Sequence, residues 1–413
     1  MFKSCSKQWR EIEMEHTADK RPLHICFVMF GVYPLFNQQS NETFGGSEVE
    51  LYNLAVYMAG EGLQVDFIVG DYGQKDVEIR ENVRLIKIKY MKPEKYGSFL
   101  HKLKRYFYMF REFIRQPSEI FITKTASELV GWLVIIEKLL KRRRVVFRLG
   151  SDKDADFDFW RADRKKYLLY KWGLKRCSMI YSQSADQERL LRERYHIISN
   201  VRKNAFLLNE KKENRSDGYI LWVSRCEPLK RPLLFTELAS CMPNENFVMI
   251  MPQVQKIDAL ENVRIAEITE EVRRCSEKMD NFRYIEYVPF KLIQDYYNEA
   301  KLFVNTSEYE GFPNSFIQAC LAGTGILSFR VDPDGFLTEY RLGHCCHDNM
   351  EEAIEFIRAL DYEKADELGR NASNYVIGNH NISTIGKLYI DDFYEQLAGK
   401  HDYKANHSKR CEA

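Results

Sequence analysis

The feature that most limits how this chain can fold is an alternation that runs through it twice. Short apolar runs of strand length are followed, at regular intervals, by segments with helical spacing. In the first round, Leu23 to Phe30 is such a run. A helix is expected from about Ser47 to Ala59, ended by Gly60-Glu61-Gly62, and Val65 to Val69 is the next strand. Further strands are expected at 83–89, 119–123, 144–149 and 178–182. The stretch Leu207 to Gly218 (LLNEKKENRSDG) is polar and charged, and the second round begins right after it with Tyr219-Ile220-Leu221-Trp222-Val223. There, strands are expected at 246–251, 283–287, 302–305 and 325–330, with helices near 231–241, 290–299, 351–359, 363–376 and 382–398. Strands alternating with helices in this way give a mostly parallel sheet covered on both faces. The expectation is an α/β protein of two doubly wound domains facing a cleft, which 413 residues accommodate.

The same punctuation sets boundaries: a polar tail at 1–20, a first domain at 21–206, a linker at 207–218, a second domain at 219–380, a final helix at 381–400 and a polar tail at 401–413. The ten cysteines are scattered, with no CxxC pair. That pattern fits a reducing compartment and speaks against a disulfide framework or a zinc site. His344-Cys345-Cys346-His347 is the nearest approach to a metal cluster, but adjacent ligands rarely converge on one ion, so a half-buried strand or loop is expected there. Asp152, Asp154, Asp156 and Asp158 are spaced like calcium ligands but lack the Gly and distal Glu of an EF-hand loop. No metal and no cofactor is expected. The first twenty residues contain no apolar core of a secretory signal. The longest apolar run, Leu129 to Ile136, is eight residues and stops at Glu137-Lys138, too short for a membrane span. The expected location is the cytoplasm.

Net charge is +1, but unevenly divided: residues 1–210 hold 37 Lys/Arg against 27 Asp/Glu, and residues 211–413 hold 24 against 33. Two stretches concentrate the basic excess. Lys89 to Pro117 has eight Lys/Arg and two Glu interleaved with aromatics, and residues 161–176 have seven Lys/Arg and one Asp. Two readings stand side by side. The cations form a surface for anionic headgroups, or the aromatics pack inward and the cations are merely solvated. Nucleic acid is disfavoured, because no recognised binding module is present.

Chemistry concentrates in the second half. Asn305-Thr306-Ser307-Glu308-Tyr309-Glu310-Gly311-Phe312-Pro313-Asn314-Ser315-Phe316-Ile317-Gln318-Ala319 reads as a strand end, a tight loop and a helix start. Pro313 suits the first helical position, and Phe316, Ala319 and Cys320 give one apolar face. Open N–H groups at that helix start make a site for an anion. Glu310 and Gln318 stand to hold hydroxyls on either side, which together describe a nucleotide sugar. Ser224-Arg225-Cys226-Glu227-Pro228-Leu229-Lys230 follows the first strand of the second half, where ligands sit in open α/β sheets. Arg225 offers a planar fork and Lys230 a mobile charge, a pair able to hold a diphosphate. In the first half, Phe44-Gly45-Gly46-Ser47-Glu48 precedes a helix; two glycines let backbone approach a phosphate, while a tight turn with Ser47 as N-cap is the plainer alternative.

The Glu310 segment resembles the donor-binding Glu-Gly-Phe-Pro signature of the retaining, GT-B-fold glycosyltransferases of family 4 (glycosyl transferases group 1). The resemblance spans roughly residues 23–400 and is strongest at 219–335. It implies two Rossmann-like domains, an acceptor-side first and a nucleotide-sugar-binding second, with the 381–400 helix crossing back to the first. It implies that Glu310 faces the donor sugar and orients its hydroxyls. The second acid of the signature, eight residues on, is Gln318 here; Gln still hydrogen-bonds a ribose but carries no charge. Arg225 and Lys230 match the pair that neutralises the leaving diphosphate, Gly45-Gly46 match the glycine loop that closes over it, and Gly311, Phe312, Pro313 and Asn314 complete the donor site. Family members place a His or Asp beside the sugar near Arg148-Leu149-Gly150-Ser151-Asp152; with no His present, Asp152 is the residue available. Val331-Asp332-Pro333-Asp334-Gly335 fits the donor-side loop loosely. The implied activity is metal-independent, retaining transfer of a hexose-type sugar to a glycan or lipid-linked glycan in surface polysaccharide synthesis. If the basic patches meet lipid, the chain is peripheral at the inner face of the plasma membrane. The rivals are a nucleotide-sugar epimerase on the same fold, or a catalytically lapsed binding protein, which Gln318 keeps open.

Overall fold

The computed structural model describes residues 22–37, 44–91, 99–140, 143–156, 164–208, 218–254 and 259–399. The tails expected at 1–20 and 401–413, Asp158, and residues 209–217 of the linker lie outside these. The first half runs β1 (His24–Val28), α1 (Tyr33–Phe36), α2 (Gly46–Gly60), β2 (Gln64–Val69), β3 (Val77–Arg80), β4 (Val83–Lys87), α3 (Phe99–Arg115), β5 (Ile120–Lys124), α4 (Glu128–Leu140), β6 (Arg144–Arg148), α5 (Asp152–Ala155), α6 (Arg164–Leu174), β7 (Met179–Ser182), α7 (Ala185–Tyr195) and β8 (Asn200–Val201). Its sheet has the order β3-β4-β2-β1-β5-β6-β7-β8. Every pairing is parallel except β3 with β4. Burial on both faces explains the near-continuous apolar strands, such as Ile25 to Val28 in β1.

The second half runs β9 (Tyr219–Val223), α8 (Pro232–Cys241), β10 (Phe247–Ile250), α9 (Ala259–Lys278), β11 (Phe282–Ile285), α10 (Phe290–Glu299), β12 (Ala300–Asn305), α11 (Asn314–Ala322), β13 (Gly325–Ser328), α12 (Phe336–Glu339), β14 (Gly343–Cys345), α13 (Met350–Arg358), α14 (Tyr362–Asn379) and α15 (Ile382–Leu397). The sheet order is β11-β10-β9-β12-β13-β14, all parallel. Each sheet therefore reverses its winding beside its first strand, between β1 and β5 and between β9 and β12. Ligands of doubly wound sheets sit at such switch points, and here the two face each other.

Helix α15 leaves the second half and packs on α2. Its Ile382, Ile385, Tyr389 and Phe393 are buried in the first-half core beside Leu51, Leu54 and Met58. A fully buried side chain of this size contributes roughly 1.5–3 kcal/mol, so the helix is part of that core. The two chain crossings pair with each other, through Phe206 N–H to His380 O (2.8 Å) and Ile382 N–H to Phe206 O (2.9 Å). No helix among the described residues is long and apolar enough to cross a membrane.

Candidate functional site

Between the two switch points lies a cleft of about 790 Å³. The second half builds one wall from the loop after β9 and the loop after β12, joined by the start of α11. Lys230 and Glu310 form an ion pair, and Ser307 Oγ donates to the same carboxylate at 2.8 Å. The pair is half-buried, so the carboxylate is held in one orientation at the cleft. Arg225 stands at the mouth, its guanidinium 3.2 Å from Glu227. Gln318, one turn into α11, also lines the cleft. Pro313 is not the first helical residue: its extended ψ of 129° makes it the N-cap, and helix begins at Asn314. The consequence is that the backbone N–H groups of Asn314 and Ser315 stand at the open end of the helix.

The first half brings up its glycine loop opposite. Gly45, not Ser47, is the N-cap of α2, with Glu48 Oε2 accepting from Gly45 N–H at 3.0 Å. Ser47 instead pairs its hydroxyl with Thr125 Oγ1 at 3.0 Å. Both glycines lie close to side chains of the opposite half. A Cβ on Gly45 would press within 3.3 Å of Arg225 Nη2, and one on Gly46 within 3.0 Å of Asn314 Nδ2. Asn314 Nδ2 donates to Gly46 O at 2.8 Å, which ties the starts of α2 and α11 together across the cleft. Two helix N-termini and two cations thus converge, an arrangement suited to a doubly charged phosphate group. At Gly311 a side chain would overlap the Gln183 amide of the first half. Phe312 is buried, and its carbonyl accepts from Asn204 Nδ2 at 3.0 Å.

Asp152 opens α5. Its neighbours Ser151, Lys153 and Asp154 line the cleft, whereas the Asp152 carboxylate is held from behind by Gln187 Nε2 at 3.0 Å. Crowding by protein, then by Asp186 and Glu310, pushes its pKa up to about 7, although much of the residue's surface is open to solvent. Arg148, at the start of the same segment, is buried. It forms an ion pair with Glu50, which also pairs with Lys124, and donates to Tyr389 Oη (2.6 Å), Arg202 O (3.0 Å) and Asn204 Oδ1 (2.7 Å). Asp154 is turned inward, where Gly150 N–H (2.6 Å) and Ser151 N–H (3.2 Å) donate to it. The Asp332–Gly335 loop also lies away from the cleft. Asp334 accepts from the N–H groups of Ala185 and Asp186, both at 3.0 Å, and so docks on the start of α7. Cys345 and Cys346 are buried at the end of β14, and no group of three His, Cys, Asp or Glu among the described residues is placed to hold a metal.

Several cleft residues have no signal in the sequence. Asn204 connects Arg148, Phe312 and Asn314 (Nδ2 to Oδ1, 2.9 Å), yet stands as a lone Asn in a polar stretch. Lys153 places its ammonium 3.5 Å above the Tyr309 ring, joining the halves beside Glu310. Phe44 crosses to the second half and meets Phe290 edge-on at 5.4 Å. It stands over an apolar stretch of the cleft formed by Ile250, Pro252, Val288 and Ile293.

The chain matches two families, Glycosyltransferase Family 4 over residues 44–202 and Glycosyl transferases group 1 over residues 242–360. No curated protein matches it by sequence. Among solved structures, sucrose-phosphate synthase from Thermosynechococcus elongatus superposes with a TM-score of 0.75 at 17% identity, covering 92% of this chain and 100% of that one. TarM of S. aureus, solved with UDP, gives 0.63 at 12% identity over 91% and 99% of the two chains. HepE of Anabaena, also solved with UDP, gives 0.62 at 14% over 90% and 100%. At these identities the likeness is one of fold, two Rossmann-like domains in the GT-B arrangement. With the two family matches, one in each half, the chain belongs to the GT-B glycosyltransferases of family 4 and group 1, and it is an enzyme of the glycosyl-transferring class.

Proposed function

We propose that the enzyme transfers a hexose-type sugar, with retention, from a nucleotide-sugar donor to a glycan or lipid-linked glycan of surface polysaccharide synthesis, working at the inner face of the plasma membrane. One observation carries the donor half of this reading: Arg225, Lys230, Glu310 and the starts of α2 and α11 line a single cleft. The diphosphate is placed between the helix starts, with Arg225 and Lys230 beside it. Negative charge grows on that diphosphate as the glycosidic bond breaks, so fixed cations there lower the barrier more than they tighten ground-state binding. Glu310, held by Ser307 and Lys230, orients the sugar hydroxyls. Gln318 takes the ribose, and the apolar stretch under Phe44 takes the base. The acceptor hydroxyl attacks from the leaving-group side and gives its proton to the departing phosphate oxygen. Asp152 stands on the acceptor side, and Arg225 and Lys230 do the charge neutralisation that a divalent metal would otherwise supply.

The donor test is thermal shift against UDP-, GDP- and ADP-sugars. UDP-sugars come first because an E. coli neighbour was solved with UDP-2-fluoro glucose. One nucleotide sugar should stabilise the chain, by about 2.7 kcal/mol at a hundredfold excess over Kd, and the shift should disappear in Glu310→Ala and Arg225→Ala. Absence of any shift would turn the reading to a lapsed enzyme, the alternative that Gln318 keeps open.

A further inference from the structure

Helix α3 has two apolar sides and uses one of them for the core. Met109 and Phe113 point into the first half and are buried. Leu100, Leu103, Phe107 and Ile114 are 68%, 50%, 64% and 52% exposed. At 3.6 residues per turn these four fall within an arc of roughly 60°, so they form one stripe along the helix. Single exposed leucines are ordinary, but an aligned row is not. Lys104, Arg111 and Arg115 fall in the adjoining arc of about 40°. The one acid of the helix, Glu112, is already occupied, 2.6 Å from Arg111 and 4.0 Å from Arg115.

The same surface continues across the next two helices. Helix α4 packs on both α3 and α6, and all three cover the sheet face opposite α2 and α15. Leu139 at the end of α4 and Leu168 in α6 are 74% and 61% exposed. Helix α6 adds exposed Lys165, and exposed Lys175 follows it. The acids of α4 face inward to partners, Glu128 accepting from Tyr106 (2.5 Å) and Glu137 from Ser178 (2.7 Å). Apolar rows flanked by more cations than acids are what an anionic bilayer surface binds: the side chains enter the headgroup boundary while the cations meet lipid phosphates.

We propose that the α3–α4–α6 face docks the enzyme on an anionic membrane, with Leu103 and Phe107 inserting and Arg111 and Arg115 meeting the headgroups. This deepens the membrane-side reading of the acceptor above, yet its readout does not depend on activity. The test is flotation of the full chain with phosphatidylcholine vesicles containing about one-third phosphatidylglycerol. Phosphatidylcholine alone and high salt are the controls. Binding should need the anionic lipid, fall in high salt, and drop at least about tenfold in Leu103→Ser/Phe107→Ser and in Arg111→Gln/Arg115→Gln. These residues are at the surface, so both variants should keep the circular dichroism and the donor-induced thermal shift of the parent. Absence of vesicle binding with the donor shift intact would overturn the docking proposal alone. So would vesicle binding unchanged in both variants. Should Leu103→Ser/Phe107→Ser abolish a concentration-dependent dimer and leave vesicle binding intact, the stripe is a contact between copies and the proposal fails.

Discussion

Gly311 shows how tightly the candidate site is specified at the scale of one residue. Its Cα lies against the Gln183 amide of the opposite half, and a Cβ there would also approach Gln187 Nε2 to 2.9 Å. Gly311→Ala should therefore push the Glu310 loop out of place. The expected cost is about 1–3 kcal/mol of stability, as for overpacking a core, together with loss of the donor-induced thermal shift. A variant that keeps both would show that the halves separate freely at this point. His380 makes a second case. Its Nδ1 lies 2.7 Å from Asn204 O, so Nδ1 must carry the hydrogen of that bond. Burial pulls its pKa down to about 3, whereas in the unfolded chain it is near 6.5. Between those values the unfolded state holds a proton that the folded state does not, so stability must fall as the pH is lowered through that window. The slope is at most about 1.4 kcal/mol per pH unit, and it vanishes above the upper value. Urea unfolding at several pH values should show that slope in the parent and a smaller one in His380→Gln. The residues named from sequence are those with a chemical signature, such as Arg225 or Glu310. Asn204 and Lys153 were illegible because their importance lies in which distant segments they join, and a single Asn or Lys carries no trace of that.

Elements were legible in proportion to how deeply they are buried. β1, β5 and β12 each hold three or more consecutive apolar residues and appear near their expected bounds. Strand β3 is an exposed edge of the sequence Val-Glu-Ile-Arg, with no side chain fully buried, and nothing in its pattern separates it from a loop. Helix α9 has a weak pattern for a similar reason: only Ile265, Thr269 and Val272 are buried among acids and bases. Position within an element is subtler still. The motif Phe-Pro-Asn announces a helix start, but assigning the cap to Pro313 or to the residue before it depends on a ψ angle that sequence does not display. The distinction matters, because it leaves Asn314 as the first helical residue, with its amide free to reach Gly46 O and Asn204. Asn314→Ala should loosen the tie between α2 and α11. With one to two net hydrogen bonds lost, worth about 1 kcal/mol each, donor KM should rise roughly tenfold. Both bonds form without donor, so stability should also fall, by about 1–2 kcal/mol. A fall in thermal stability without a change in KM would make Asn314 a structural tie only.

At the scale of the whole molecule, the two halves are joined by more than a linker. The second half ends by sending α15 into the core of the first, where Tyr389 also accepts from Arg148 at the centre of the Glu50–Lys124 network. Removing one member of a buried ionic cluster leaves an uncompensated charge, so the helix and the floor of the cleft should be lost together. Two glycines separate this reading from ordinary helix propensity. Gly378, in α14, has nothing within 4 Å of where its Cβ would be, whereas a Cβ on Gly386 would overlap the Tyr57 ring of α2. Helix propensity alone makes both substitutions to Ala favourable by about 0.5–1 kcal/mol. Packing predicts opposite signs. Gly378→Ala should raise Tm. Gly386→Ala should lower it and expose α15 to limited proteolysis, since the helix must lift from Tyr57 to make room. If Gly386→Ala is as stabilising as Gly378→Ala, α15 does not sit in the first-half core in solution, and the two halves are tied only by the crossings at Phe206 and His380.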